Sequence, residues 1–191
     1  MIDYFIQLDQ QLFLWIQQHC HSNLLDQVMP WLREKKNWYP LYLLIVMFLT
    51  IKFRWAGLRM VGIAILCFVL SDAISSHVAK PLFERLRPCE EPMIAKQFKP
   101  LIDCNNRGYS FTSSHAANHF AIAVALSMFF YSRRKWMLLL GLFWAGSISL
   151  AQVYVGVHYP LDIAAGACLG ITISIFAHAI IKRYFKKYFS H

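Results

Sequence analysis

The sequence predicts an all-α polytopic membrane helical bundle, with about five transmembrane helices behind N-terminal interfacial helices. Three observations predict it. Of the 191 residues, 58% are hydrophobic and only 15% are charged, against about 25% charged in soluble domains. The mean hydropathy is +0.41, and long apolar runs recur along the chain. Basic residues collect in alternate connections between those runs. This composition excludes disorder and argues against a soluble enzyme. The length allows a single domain.

Residues 5–16 place Phe5, Leu8, Leu12 and Trp15 at spacings of three and four, with Asp9, Gln10 and Gln11 off the stripe. That pattern predicts an amphipathic helix in the interface plane. A similar piece, 24–32, carries Pro30. Residues 1–35 thus read as an interfacial region, either packed on the bundle or sensing lipid, and 38–182 as the transmembrane core. Five apolar runs follow, at 38–51, 60–79, 116–131, 136–154 and 160–181. A span needs about 20 residues, so the first and third require flanking residues. A sixth span would follow if part of 5–32 inserts. Trp38, Tyr39, Trp136 and Tyr154 sit near run ends, where amphipathic rings anchor at the interface. The opening Met1-Ile2-Asp3-Tyr4 lacks the basic region of a signal peptide, so the mature chain is expected to begin there.

The net charge of +9 could indicate nucleic acid, but its placement indicates topology, and no nucleic-acid partner is expected. Lys52, Arg54 and Arg59, then Arg133, Arg134 and Lys135, then Lys182, Arg183, Lys186 and Lys187 fill three connections that hold no acidic residue. The positive-inside rule puts these in the cytoplasm. The N-terminal region, the 80–115 connection and the 154–160 turn then face outward. The expected location is a bacterial inner membrane, with those segments toward the periplasm or exterior. Arg33, Lys35 and Lys36 run against the rule. Cys89 and Cys104 lie in the outward 80–115 connection, in an oxidising compartment. They are expected to form a disulfide worth about 3 kcal/mol in the chain-entropy view. Cys67 and Cys168 read as packing residues, and Cys20 is left unpaired.

Three polar clusters distant in sequence converge on the outward face. Lys80 and Arg87, seven residues apart, would project from one helix face until Pro88 stops the helix. Fixed cations suit a phosphate, although snorkelling anchors would look alike. Thr112-Ser113-Ser114 precede an apolar run as N-cap candidates, with His115 in the first turn beside any anion held there. Capping alone would also explain them. His158 and Asp162 are four apart across Pro160. A carboxylate there can fix one ring nitrogen and leave the other as a nucleophile, or serve as a plain cap. Asp72, within the second run, is expected to be a buried partner of Ser76 or His77. His119, one turn beyond His115, gains no carboxylate or Cys to complete a metal set, so no metal or other cofactor is expected.

At these residues the chain resembles the type 2 phosphatidic acid phosphatase superfamily. Its first motif, Lys, six residues, Arg-Pro, is matched by Lys80, Arg87 and Pro88. Its second, Pro-Ser-Gly-His, is matched at Ser113 and His115, with Thr112 and Ser114 in the Pro and Gly places. Its third, Ser-Arg, five residues, His, three residues, Asp, is matched at His158 and Asp162. The resemblance implies a membrane lipid phosphatase. His158 would be the nucleophile forming a phosphohistidine, Asp162 its orienter and His115 the general acid and base. Lys80, Arg87 and the N–H groups around Ser113 and Ser114 would hold the phosphoryl oxygens. The substrate class it offers is a lipid phosphate or diphosphate in the bilayer, such as undecaprenyl diphosphate, lipid A or phosphatidylglycerol phosphate. One position departs: the family's phosphate-binding Arg is Gln152, after Ala151. Gln152 can donate a neutral hydrogen bond at that phosphate site, and Arg85 or Arg107 is expected to supply the missing charge. A phosphotransferase, or a binding protein impaired by Gln152, is the alternative.

Overall fold

The computed structural model describes residues 2–104, 108–130 and 134–184. Among them all regular structure is helical. Two helices lead, α1 (Ile2–His19) and α2 (Asn23–Arg33), the second capped by the Ser22 hydroxyl. A 3₁₀ turn, Lys35–Trp38, leads into α3 (Tyr39–Phe53). The next helix, α4 (Trp55–Phe83), is continuous but passes through a π-helical stretch at Ile74–Ala79. It is followed by a long connection, then α5 (Ser114–Met128), α6 (Trp136–Tyr154) and α7 (Pro160–Tyr184).

Among the described residues three helices, α4, α6 and α7, are long and apolar enough to cross a membrane. The first and third runs form α3 and α5, of 15 residues each. Both fall below the roughly 17–25 residues of an independent span, so of the five runs three form, among the described residues, helices that reach that length by themselves. Leu43, Phe48, Ile51, Ile65, Leu139, Phe143 and Phe176 point outward, as a lipid-facing surface requires. The short α5 is the centre of the bundle, packed by α7, α4 and α6. Its alanines, Ala116, Ala117, Ala121, Ala123 and Ala125, are buried.

Small residues let α5 and α7 touch backbone to backbone, the packing mode available where lipid removes the hydrophobic drive. A Cβ on Gly166 would come within 2.5 Å of the Ser113 carbonyl oxygen, and one on Gly170 would strike the Ala117 carbonyl. This contact brings the start of α5 against the start of α7. Gly170→Ala should therefore destabilise the protein by about 1–3 kcal/mol and lower its Tm in detergent by roughly 2–12 °C. An unchanged melting curve would contradict the close packing.

The N-terminal region is amphipathic as expected, but its faces are used differently. Phe5, Leu8, Leu12 and Trp15 are exposed, while Asp9, Phe13 and Gln17 are buried against the bundle. Phe13 packs edge-on to Phe98 and Tyr159. Gln17 Nε2 donates to the Val153 and Tyr154 carbonyls at 2.9 and 3.2 Å. Tyr154 Oη in turn donates to Asp26 at 2.6 Å. Side-chain polarity thus docks α1 and α2 on the end of α6, and the apolar stripe faces away from the bundle.

Cys89 and Cys104 are disulfide-bonded. The bond ties the long connection to a cluster around Val155 and Val157, beneath His158. Cys67 is buried as expected, whereas Cys168 is exposed on α7.

Candidate active site

The three motifs meet at one end of the bundle. Lys80 ends up in the last turn of α4, but the helix does not carry on to Arg87. It stops at Phe83, and Glu84 turns left-handed with φ 45°. The expectation of one helix face for Lys80 and Arg87 is therefore corrected: Arg87 arrives from a non-helical stretch. That stretch lets Arg87 be anchored by backbone. Its Nε donates to the Gly108 carbonyl at 2.8 Å, one terminal nitrogen to Val157 at 2.9 Å, and the other to Tyr109 at 3.4 Å.

The nitrogen that binds Val157 also approaches His158 Nε2, at 3.2 Å. A guanidinium can only donate, so Nε2 is the unprotonated nitrogen and the proton sits on Nδ1. Nδ1 faces Asp162 Oδ2 at 3.5 Å, the outer edge of hydrogen-bond range. His158 is almost fully buried. Burial pulls its imidazole down from 6.5 to about 4, with Asp162 opposing the drop and Arg87 adding to it. His158 is accordingly a neutral base at pH 7, with its lone pair beside a cation.

Asp162 is held from several sides. Its oxygens accept from Ser110 Oγ at 2.8 Å, the Tyr159 N–H at 2.8 Å and Arg85 at 2.9 Å. The other terminal nitrogen of Arg85 donates to Asp9 at 2.7 Å, and its guanidinium lies over the Tyr159 ring, 3.9 Å from the centroid. Asp9 also accepts from the Leu161 N–H at 2.8 Å. Arg85 was expected to bind phosphate. The structure instead engages both its terminal nitrogens with carboxylates, so it steadies Asp162. Arg107 lies outside the described residues.

The start of α5 completes the site. Ser113 caps the helix, its hydroxyl accepting from the Ala116 N–H at 3.4 Å. Its own N–H is taken by the Asp162 carbonyl at 3.0 Å, which joins the second and third motifs. Ser114 Oγ turns to Ser75 and Ser76, at 2.9 and 3.2 Å. These serines lie in the π-helical stretch of α4, a distortion common at functional sites. The Ser113 and Ser114 hydroxyls are thus both engaged, while the N–H groups of Ser114 and His115 lie in the first turn, where no intrahelical acceptor exists. His115 is part-exposed there.

One polar side chain behaves otherwise than the sequence suggested. Asp72 accepts from Asn118 Nδ2 at 2.8 Å rather than pairing with Ser76 or His77. Asn118 Oδ1 accepts from Ser71 at 2.8 Å. His119 Nδ1 bonds the His115 carbonyl at 2.7 Å, and Nε2 meets Tyr42 Oη at 3.0 Å. Both its nitrogens are occupied. Among the described residues no three His, Cys, Asp or Glu side chains gather as a metal set. Gln152 is fully buried, and its Oε1 accepts from Arg33 Nε at 3.1 Å. Sequence reasoning missed Asp9 and Arg33. The signal for Asp9 was its four-residue spacing with Phe13 and Gln17, a second face on α1.

Comparison with known proteins agrees with this geometry. The PAP2 superfamily profile matches residues 56–186. The chain is 33% identical over 172 residues to a lipid A 4'-phosphatase of Bacteroides thetaiotaomicron, covering 89% of this chain and 75% of that one. It is 32% identical over 139 residues to an undecaprenyl-diphosphatase of Sulfolobus acidocaldarius, covering 72% and 60%. The fold superposes with a TM-score of 0.75, at 20% identity, on a transmembrane PAP2-type phosphatidylglycerolphosphate phosphatase from Bacillus subtilis, covering 95% and 88%. The resemblance read from three short motifs is borne out: this chain is a membrane protein and belongs to the PAP2 superfamily.

Proposed function

We propose that the protein hydrolyses a phosphate or diphosphate headgroup of a membrane lipid through a phosphohistidine on His158. One observation carries the reading: the Arg87 guanidinium is aimed at the unprotonated Nε2 of a buried, neutral His158. A phosphoryl group held by Arg87 would lie against that lone pair. Nε2 attacks phosphorus as the bond to the lipid oxygen breaks, and His115 gives that oxygen a proton. Burial holds His115 well below the usual histidine range in the free site, so the negative charge of the bound phosphate is what keeps it protonated for this step. Water then attacks phosphorus, His115 takes its proton, and the P–N bond breaks to release inorganic phosphate. Lys80, Arg87 and the first N–H groups of α5 offset the charge on the equatorial oxygens. Asp162 balances the positive charge that His158 acquires.

The lipid A, undecaprenyl diphosphate and phosphatidylglycerolphosphate substrates in the relatives' names set the candidate substrates for this chain. The whole chain works as one unit, with 1–35 at the interface and 38–182 as the membrane core. Its location is the bacterial inner membrane, with the site on the outer face. The disulfide beside the site and the basic turns at the opposite helix ends support that orientation.

The test is release of inorganic phosphate from those three lipid classes by purified protein in detergent. Turnover should persist in EDTA, because Lys80, Arg87 and helix dipoles take the charge-neutralising role of a metal. Orthovanadate, which mimics the five-coordinate phosphoryl group, should inhibit. Activity lost in EDTA and regained with Mg²⁺ would refute the metal-free mechanism. Failure to release phosphate from any lipid would leave a phosphate-binding protein without turnover.

A further inference from the structure

The departure at Gln152 removes a cation from the third motif, and the fold returns one from an unrelated part of the chain. We propose that Arg33, at the end of α2, is a phosphate-binding residue, seated on Gln152 so that its guanidinium takes the place of the absent arginine. This rests on the phosphatase reading above.

Four observations carry it. Arg33 is 8% exposed and Gln152 fully buried, so their 3.1 Å bond is removed from water. Arg33 Nε can only donate, which fixes the amide with its oxygen toward Arg33. Gln152 Nε2 is then buried without a hydrogen-bond partner. Such a donor is costly unless an acceptor arrives, and a phosphoryl oxygen is one. Gln152 also adjoins the catalytic loop: its carbonyl accepts from the Val157 N–H at 3.1 Å, and Val157 is the residue on which Arg87 is anchored.

The fourth observation is electrostatic. The charges of Arg33 and Lys35 both act on His115, and that of Lys35 also acts on Lys80. The charges at the end of α2 and just after it therefore reach the site. This accounts for an anomaly in the sequence. Arg33 and Lys35 break the positive-inside pattern because they serve the site and not the topology. The docking of α2 on the end of α6, through Tyr154 Oη and Asp26, holds the arginine in place.

The experiment uses the full-length protein in detergent and five forms: wild type, Arg33→Ala, Arg33→Lys, Gln152→Arg and the double variant Arg33→Ala with Gln152→Arg. Turnover is read with a short-chain phosphatidic acid and with the three lipid classes above. Binding is read with orthovanadate, and folding by Tm. Arg33→Ala should lower kcat/KM about 100-fold and orthovanadate affinity about 10- to 100-fold. Arg33→Lys should fall between, since the charge stays and the fork is lost. The double variant should regain at least about 10-fold over Arg33→Ala, because the guanidinium is restored from the other side. A structural role for Arg33 would give no such rescue. Arg33→Ala within about threefold of wild type in both readouts would overturn the proposal, threefold being the scatter of such single-site effects. So would a loss in Arg33→Ala that the folded double variant fails to recover. If Arg33→Ala does not fold, the double variant and Arg33→Lys decide by the same criteria. If wild type turns over no lipid, the phosphatase reading fails by itself, and the orthovanadate arm still judges Arg33.

Discussion

His158→Ala abolishes turnover, with an expected loss of about 10⁴-fold or more, the scale seen when a covalent nucleophile is removed. The variant should remain folded. Its cavity is small, and the backbone carbonyls that hold Arg87 are unaffected. Two measurements separate loss of chemistry from loss of structure. Tm should change little. A lipid substrate labelled in its phosphate should transfer acid-labile label to the wild-type chain and none to the variant. The pH profile of wild type carries a second signature. Burial holds His158 near 4, so the nucleophilic neutral form is present above that value and is lost as pH falls through it. The acid limb of kcat/KM should therefore lie near 4, well below the usual histidine range. Normal turnover by His158→Ala, or an acid limb near 6.5, would sink the assignment.

The candidate site was legible in the sequence because its proposed reacting groups lie in short local patterns. His158 and Asp162 are one helical turn apart across Pro160. Ser113 and His115 straddle the start of an apolar run. Such pairs hold their geometry without knowledge of the fold. Longer-range arrangement was less readable. The seven-residue interval from Lys80 to Arg87 suggested one helix, but Glu84 takes a left-handed conformation that no propensity argument demanded. Arg85 looked like a phosphate ligand because it sits two residues from Arg87. Its true partners, Asp9 and Asp162, lie 76 and 77 residues away in sequence. Asp9 was read only as lying off the apolar stripe of an interfacial helix, with no partner assigned to it. The buried face of α1 is the mixed one that carries Asp9, Phe13 and Gln17, and amphipathicity alone does not reveal it. Arg33 was read only as a breach of a topology rule, because its partner Gln152 lies 119 residues away in sequence.

Asp162→Asn should cost about 10³- to 10⁴-fold in kcat/KM, the scale set by removing the carboxylate behind a catalytic imidazole. The effect comes from the placement of protons. Arg85, Ser110 and the Tyr159 N–H all donate to Asp162, and His158 Nδ1 faces the same carboxylate. An amide offers only one acceptor atom. Arg85 and the Tyr159 N–H approach different oxygens, so either orientation sets an NH₂ group against one donor. If that NH₂ faces His158, Nδ1 becomes the acceptor and the proton moves to Nε2. The lone pair opposite Arg87 is then gone, and attack on phosphorus requires a disfavoured tautomer. The charge that balances a phosphorylated imidazole is lost as well. Asp9→Asn is the informative companion. It removes one partner of Arg85 and leaves Asp162, His158 and the tautomer in place, so its loss should be about tenfold, the scale of a single charged hydrogen bond. Imidazole nitrogen resonances distinguish the cases: Asp162→Asn should exchange the protonated and unprotonated nitrogens of His158, and Asp9→Asn should not. Equal losses in both variants without a change of tautomer would mean that the Asp9–Arg85–Asp162 chain acts as a structural clamp and that Asp162 does not select the reactive nitrogen.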